Sequence, residues 1–216
     1  MAAMFGYDVV IWDWNGTLLD DLWLALETAN GMLRRRGLPE MDAHRYREIF
    51  DFPVQNYYRR AGFDFSREPF SVLAEEFIRG FNARIRECQL HTRVEEIVHT
   101  LRRRGISQIV LSASRERTLH EAVADRGLRP FFDALHGLQD DLAVSKTQVG
   151  LDLIAHHRLD AERAVMVGDT VHDAEVAREM GVDCILIASG HHARSRLEMT
   201  GVPVYDTLGD VLLAAQ

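Results

Sequence analysis

The chain has 216 residues, 47% hydrophobic and 27% charged, with a formal net charge of −8. That length suits one sizeable domain plus a smaller module, and the acidic balance argues against a nucleic-acid or anionic-membrane partner, either of which calls for a basic face. Two cysteines without metal-ligand spacing, Cys88 and Cys184, a start at Met1 to Tyr7 without a leader pattern, and no run of ~18 apolar residues together point to a cytoplasmic protein without membrane spans.

The first element is an apolar run, Val9-Val10-Ile11-Trp12, that reads as a buried strand. It ends at Asp13 and breaks at Gly16, with the Thr17 hydroxyl beside it. A carboxylate at the carboxyl end of such a strand stands where open parallel α/β sheets place their ligand crevice. The bland alternative is a helix cap, but the helical pattern begins only near Leu22.

From Leu22 to Arg36, Leu22, Leu26, Ala29 and Leu33 share a helical face, and Gly37-Leu38-Pro39 stops the helix. Asp42 to Glu87 has no β-rich run, only helical patterns broken at Asp51-Phe52-Pro53, Gly62 and Pro69. This block is a helical insertion, entered near Asp20-Asp21 and left near Gln89 to Thr92. From Thr92 onward helix and strand alternate. Helices are expected at Val94 to Leu101, Glu116 to Arg126, Gln148 to His157, Val171 to Met180 and Leu208 to Ala214. Strands are expected at Gln108 to Leu111, Phe131 to Leu135, Ala164 to Val167, Cys184 to Ala188 and Val202 to Tyr205. Such alternation predicts a doubly wound parallel sheet with helices on both faces. The arginine runs Arg34-Arg35-Arg36 and Arg102-Arg103-Arg104 fall at helix ends, where cations complement the macrodipole.

Three further strand or helix ends bring polar groups to the same sheet edge. Ile109-Val110-Leu111 leads to Ser112, with the small Ala113 and Ser114 next, so backbone amides there could approach an anion. Ala164 to Val167 leads to Gly168-Asp169-Thr170-Val171-His172-Asp173. Lys146, the single lysine among 25 basic residues, opens a helix after the polar turn Gln139-Asp140-Asp141. Individually these are ordinary caps and solvated charges. Jointly, a nucleophilic carboxylate, two more acids, a hydroxyl and one cation are the parts needed to hold Mg²⁺ and a phosphoryl group.

The order Asp13-Trp14-Asn15-Gly16-Thr17, Ser112, Lys146, then Gly168-Asp169-Thr170 with Asp173 resembles the four motifs of the haloacid dehalogenase superfamily of phosphohydrolases, over the whole chain. Within it the sequence looks most like the phosphoglycolate phosphatase group. The resemblance implies a Rossmann-like α/β core of residues 1–21 and 90–216 and a helical cap of residues 22–89. It implies Asp13 as the nucleophile that forms an aspartyl-phosphate, and a Mg²⁺ site made by Asp13, the Asn15 main-chain carbonyl and Asp169, with Asp173 in support. Thr17, Ser112, Ala113 and Lys146 would hold the phosphoryl group of a small phosphorylated metabolite.

One position departs from the pattern. Phosphatases of this family usually carry an Asp two residues after the nucleophile as general acid and base, and here it is Asn15, whose amide cannot exchange a proton in that way. His172, Asp20 and Asp21 are the possible substitutes. His156-His157 and His191-His192 are expected in surface or core positions, the second pair at the rim of the site. The loop Phe50 to Tyr58 resembles the specificity loop of such caps, where Arg47, Arg59 or Arg60 could meet a substrate carboxylate. The expected activity is a Mg²⁺-dependent phosphomonoesterase. The alternative is a phosphate-ligand or protein-binding module that turns over poorly because of Asn15. A Schiff-base phosphonatase is excluded because the cap has no lysine.

Overall fold

A computed structural model describes residues 4–138 and 146–213. Its central sheet has six strands, β1 (Val9–Trp12), β4 (Ser107–Arg115), β5 (Ala134–Leu138), β6 (Ala164–Gly168), β7 (Asp183–Ile187) and β8 (Val204–Tyr205), all parallel, in the order β5-β4-β1-β6-β7-β8. The chain enters at β1, winds outward through β4 and β5, then returns to β6 on the other side of β1. This is the doubly wound order, whose direction of winding reverses beside β1.

Alternation along β1 feeds two cores. Val10 and Trp12 face one side with Val110, Val165, Ile185 and the helices α5 (Val94–Arg103), α6 (Glu116–Asp125) and α10 (Leu208–Leu213). Val9 and Ile11 face the other with Ile109, Met166, Leu186 and the helices α7 (Lys146–His157), α8 (Val171–Met180) and α9 (Arg194–Glu198). All four β1 side chains are buried, which for each is worth ~1.5–3 kcal/mol relative to exposure. Burial on both faces explains why the strand reads as a continuous apolar run.

Between β1 and α5 lie four helices, α1 (Leu22–Arg35), α2 (Ala43–Ile49), α3 (Val54–Ala61) and α4 (Phe70–Arg84). They enclose a hydrophobic cluster of their own that includes Ala29, Leu33, Tyr46, Tyr57, Tyr58 and Leu73. Helix α1 serves both cores, since Leu24 packs under the sheet while Ala25, Ala29, Met32 and Leu33 face the helical cluster. Its buried face is therefore broader than Leu22, Leu26, Ala29 and Leu33; Leu22 and Leu26 are only partly buried. Arg36 ties this unit together by bonding Glu68, Glu76 and the Met32 carbonyl. At the two crossings, β2 (Leu19–Asp20) and β3 (Gln89–Leu90) pair antiparallel.

Three strands differ from expectation, and of these β8 keeps only Val204–Tyr205 of the expected Val202 to Tyr205. β4 runs on through Ser112, Ala113 and Ser114 to Arg115, with a register shift between Leu111 and Arg115, because its outer neighbour β5 offers a partner for polar residues that carry no strand signature. β5 begins at Ala134, since Arg129–Phe131 forms a single 3-10 turn led by Pro130. The turn Gln139-Asp140-Asp141 and Ala214 lie outside the described residues.

Gln108 is a polar residue at zero exposure within β4. Its side chain accepts from the Trp12 indole at 3.1 Å and donates to the Val98 carbonyl at 2.9 Å. Gln108→Leu leaves the buried Trp12 N–H without its acceptor, and is expected to lower stability by about 1–3 kcal/mol in urea unfolding. A change near zero would show that the indole finds another acceptor.

Candidate active site

The site forms where β1 and β6 end side by side. The Asp13 amide still donates to the Val167 carbonyl at 2.9 Å, so the ladder carries the carboxylate to the sheet edge before the chain turns. Gly16 makes that turn with φ of +78°. A Cβ there would collide with the Asp169 carboxylate and the His191 ring, so only glycine lets the loop lie this close. Thr17, fully buried, places Oγ1 2.8 Å from Asp169 Oδ1 and 3.2 Å from Asp13 Oδ2.

Lys146 enters from the first turn of α7. Its ammonium is buried and ion-paired with Asp13 Oδ1 and with Asp173 Oδ1, the second at 2.6 Å. Asp173 is the N3 residue of a capping box at the start of α8: its Oδ2 accepts from the Asp169 and Thr170 amides and the Thr170 hydroxyl. Thr170 is thus a cap, while Asp173 both caps and faces the lysine. Carboxylate oxygens of Asp13, Asp169 and Asp173 all lie within 4.8 Å of one another.

Charge crowding perturbs each group. Burial drives Asp13 well above the ordinary carboxylate range; Lys146 opposes that shift, and Asp173 and Asp169 add to it. Burial likewise pushes Asp169 up to about 6 against the pull of His191. Asp173 goes the other way, because the charge and hydrogen bond of Lys146 outweigh its burial. Lys146 is held above its usual value, the two carboxylates overcoming its burial.

Asn15 is locked in place. Its Nδ2 donates to Asp21 Oδ2 at 2.7 Å, and its Oδ1 accepts from Ser114 Oγ at 2.7 Å. Asp21, 1% exposed, also accepts from the Gly16 amide at 2.7 Å and lies 3.2 Å from His191 Nε2. His191 in turn donates its backbone N–H to Asp169 at 2.6 Å and meets the Tyr46 hydroxyl of α2 through Nδ1 at 3.1 Å. Burial works against a charged His191, but Asp21, Asp169 and Asp13 override it and push its pKa up to about 9. The next residue behaves oppositely. His192 Nδ1 accepts from the Val171 amide, and burial with nearby Arg196 pushes it down to about 3.

The α2 to α3 segment covers this edge. Phe50 packs on His191 with centroids 5.3 Å apart, Phe52 on His172 at 4.8 Å, and the two phenylalanines touch at 5.5 Å. Arg47 binds the Gly190 and Ser189 carbonyls at 2.9 and 3.1 Å. Arg196 returns the contact, reaching the Arg47 and Phe50 carbonyls at 3.1 and 2.5 Å.

Among the sequence candidates, Asp13, Thr17, Lys146, Asp169 and Asp173 converge, with Asn15 beside them. Ser112 is buried and accepts from the Ser114 amide at 3.1 Å, whereas Ala113 points outward on β4 and is exposed. Of the possible acids, Asp21 is in the network, Asp20 is exposed, and His172 lies 3.4 Å from Glu175. His191 and His192 are buried rather than superficial; His156 and His157 are exposed on α7. The loop expected from Phe50 to Tyr58 is shorter, because α3 begins at Val54. Arg60 pairs with Asp51 and Arg59 lies over Phe65. Sequence reasoning missed Tyr46, Ser114 as the partner of Asn15, and Arg196; none carries a local pattern, since each acts across more than 90 residues.

A parallel sheet with acids at its carboxyl edge, one buried lysine and a helical cover defines a phosphoryl-handling hydrolase. Comparison with known proteins gives the family. The haloacid dehalogenase-like hydrolase profile matches residues 10–187, and the chain belongs to that family. It is 24% identical over 188 residues to a phosphoglycolate phosphatase of Synechococcus elongatus, covering 87% of each chain. It is also 26% identical to the tyrosine-protein kinase PtkA of Mycobacterium tuberculosis, covering 91% of this chain and 67% of that one. A haloacid dehalogenase-like hydrolase of Streptococcus pneumoniae superposes with a TM-score of 0.84 at 21% identity, covering 99% of this chain and all of that one. The chain is thus a hydrolase of the phosphatase type, and the binding-module alternative is not favoured. No helix among the described residues is long and apolar enough to cross a membrane.

Two outcomes follow from the locked amide and the paired histidines. Asn15→Asp sets a second carboxylate against Asp21, so it is expected to destabilise the protein by about 1–3 kcal/mol, with stability restored in Asn15→Asp/Asp21→Asn. Thermal melts of the two variants check this; a stable single variant refutes it. For His192, the unfolded chain takes a proton near pH 6.5 and the folded chain only near 3, so stability is lost as pH falls through that window, by at most about 1.4 kcal/mol per unit. For His191 the folded value is raised, so its contribution is complete below about pH 6.5 and is lost as pH rises through about 9. Urea unfolding against pH should show His192→Gln flattening the acid limb and His191→Gln the alkaline limb. Unchanged limbs would mean that other groups set the profile.

Proposed function

We propose that the chain is a Mg²⁺-dependent phosphomonoesterase that hydrolyses a small phosphorylated metabolite through an aspartyl-phosphate on Asp13. The observation that carries this reading is the buried convergence of Asp13, Asp169 and Asp173 on Lys146. The donor set fits the metal. Hard carboxylate oxygens suit Mg²⁺, and Asp13, Asp169 and Asp173 crowd three buried carboxylates around the Lys146 ammonium, an acidic excess that a divalent cation relieves.

The carboxylates of Asp13 and Asp169 and the main-chain carbonyl of Asn15 would hold the cation, with Asp173 beside them. When bound, Mg²⁺ supplies positive charge to the transferring phosphoryl oxygens. Asp13 attacks phosphorus, and Lys146 orients it. Thr17, Ser112, the neighbouring amide at Ala113, and Lys146 receive the non-bridging oxygens, donors that stabilise the charge as it develops. Water then cleaves the acyl phosphate and regenerates Asp13.

Residues 22–89 act in this reading as a cap over the core of residues 1–21 and 90–216, with the β2/β3 ribbon as the joint and Phe50, Phe52 and Arg47 as the contact that excludes water. Two free, buried cysteines suit a reducing cytoplasm. The relatives' names cite different substrates, so the substrate has to be read from the cap.

The test is phosphate release from a panel of small phosphate esters. Hydrolysis is expected with Mg²⁺, abolition by excess EDTA, and a loss of several orders of magnitude in Asp13→Asn and Asp169→Ala. Undiminished release in EDTA would remove the metal from the mechanism.

A further inference from the structure

Two independent features constrain the group that leaves phosphorus. One is position 15. The Asn15 amide is held between Asp21 and Ser114, at 2.7 Å on each side, so it neither carries a transferable proton nor turns to admit a donor. Position 15 therefore supplies no proton to a leaving oxygen. An alkoxide, whose conjugate acid is about as weak as water, departs poorly on those terms. A phenoxide, whose conjugate acid has a pKa of about 10 like tyrosine, departs far more readily.

The other feature is the surface that the cap presents. Phe50 and Phe52 lie in the segment directly over the site, against His191, His192 and His172, with Tyr46 stacked on Phe50 at 5.2 Å and Tyr57 against it edge-on at 5.3 Å. The arginines of the same segment are turned to other work. Arg47 holds two main-chain carbonyls of the core, Arg60 pairs with Asp51, and Arg196 from the core side holds the Arg47 and Phe50 carbonyls. Among the described residues, Phe50 and Phe52 are partly exposed rings of this segment, a surface that receives a planar ring by stacked or edge-on contact. A carboxylate would need one of these guanidiniums to break its existing bonds.

We propose that the substrate is an aryl phosphate monoester, its ring seated against Phe50 and Phe52. A carboxylate oxygen of Asp13 forms the bond to phosphorus as the bond from phosphorus to the aryl oxygen breaks. The electron pair leaves on the phenoxide, which is protonated by water; a second water then hydrolyses the acyl phosphate to inorganic phosphate. This assignment rests on the phosphatase reading above and narrows it to a substrate class.

The experiment compares kcat/KM of the full chain, with Mg²⁺, on phenyl phosphate, ethyl phosphate, 2-phosphoglycolate and acetyl phosphate. Acetyl phosphate has a good leaving group and no ring, so it separates ring recognition from leaving-group acidity. Phenyl phosphate is expected to exceed ethyl phosphate by about 10²–10⁴-fold, the usual worth of the missing acid, and to exceed 2-phosphoglycolate as well. In Phe52→Ala, the ratio of kcat/KM for phenyl over acetyl phosphate should fall by about 2- to 10-fold. Phe52 is partly exposed, and this truncation spares the buried Tyr46 and Tyr57; Phe52→Leu, which keeps bulk without a ring, should lower the ratio too. If acetyl phosphate or 2-phosphoglycolate is hydrolysed while phenyl phosphate is not preferred over the alkyl esters, the phosphatase reading stands and the aryl assignment is overturned. An unchanged phenyl to acetyl ratio in both Phe52 variants overturns the ring seat. Release from none of the four esters overturns both.

Discussion

Lys146 is the interaction on which the site depends. An ammonium taken out of water is penalised by several kcal/mol unless it is well paired, and this one lies between Asp13 at the end of β1 and Asp173 at the start of α8. Those carboxylates belong to different crossover units, so the lysine ties the end of the first strand to the loop after β6. The pairing is also the reason three acids can share one pocket. Without a cation among them, burial and mutual repulsion would protonate them, and the perturbed Asp13 and Asp169 mark how close the arrangement is to that limit.

A second network reaches outward from the same loop. Ser114, Asn15, Asp21, His191 and Tyr46 are joined in sequence by contacts of 2.7, 2.7, 3.2 and 3.1 Å, running from β4 through the Gly16 turn to helix α2. Each member is buried or half-buried, so breaking any link strands a polar group at a cost larger than the net worth of the bond itself. The position of the helical cover is thereby coupled to the loop that carries Asp13. Changing residue 15 is then not a local substitution, because the carboxylate usually found there would meet one already present at Asp21.

The fold was legible where burial wrote a period into the sequence. β1, β6 and β7 are apolar on both faces and announce themselves. β2 and β3 are two residues each and carry no period, and the polar extension of β4 is decided by a neighbouring strand rather than by its own residues. Phe131 drew the fifth strand forward because an apolar residue in a 3-10 turn looks like the start of a strand. In the site, the residues at strand ends could be named in advance, since their placement follows from the sheet. The partners of Asn15 could not. Asp21 looked like one of two equivalent acids at a crossing, and only the turn at Gly16 decides that Asp21 points inward while Asp20 faces solvent.

The helical unit is fastened to the core largely through main-chain carbonyls. Arg47 and Arg196 bind main-chain carbonyls across the boundary, and those groups are readily rehydrated if the two sides separate. A hydrogen bond exchanged for one to water changes the free energy by only about 0.5–3 kcal/mol, more for a charged donor than a neutral one. The aromatic contacts of Phe50 and Phe52 with three histidines are likewise modest singly. By contrast, the interior of the helical unit is held by Arg36 with two glutamates and by a dense apolar cluster. The contacts within the helical unit are thus denser than those between it and the sheet. The edge of the sheet that this unit covers is the one where Asp13, Asp169 and Lys146 converge.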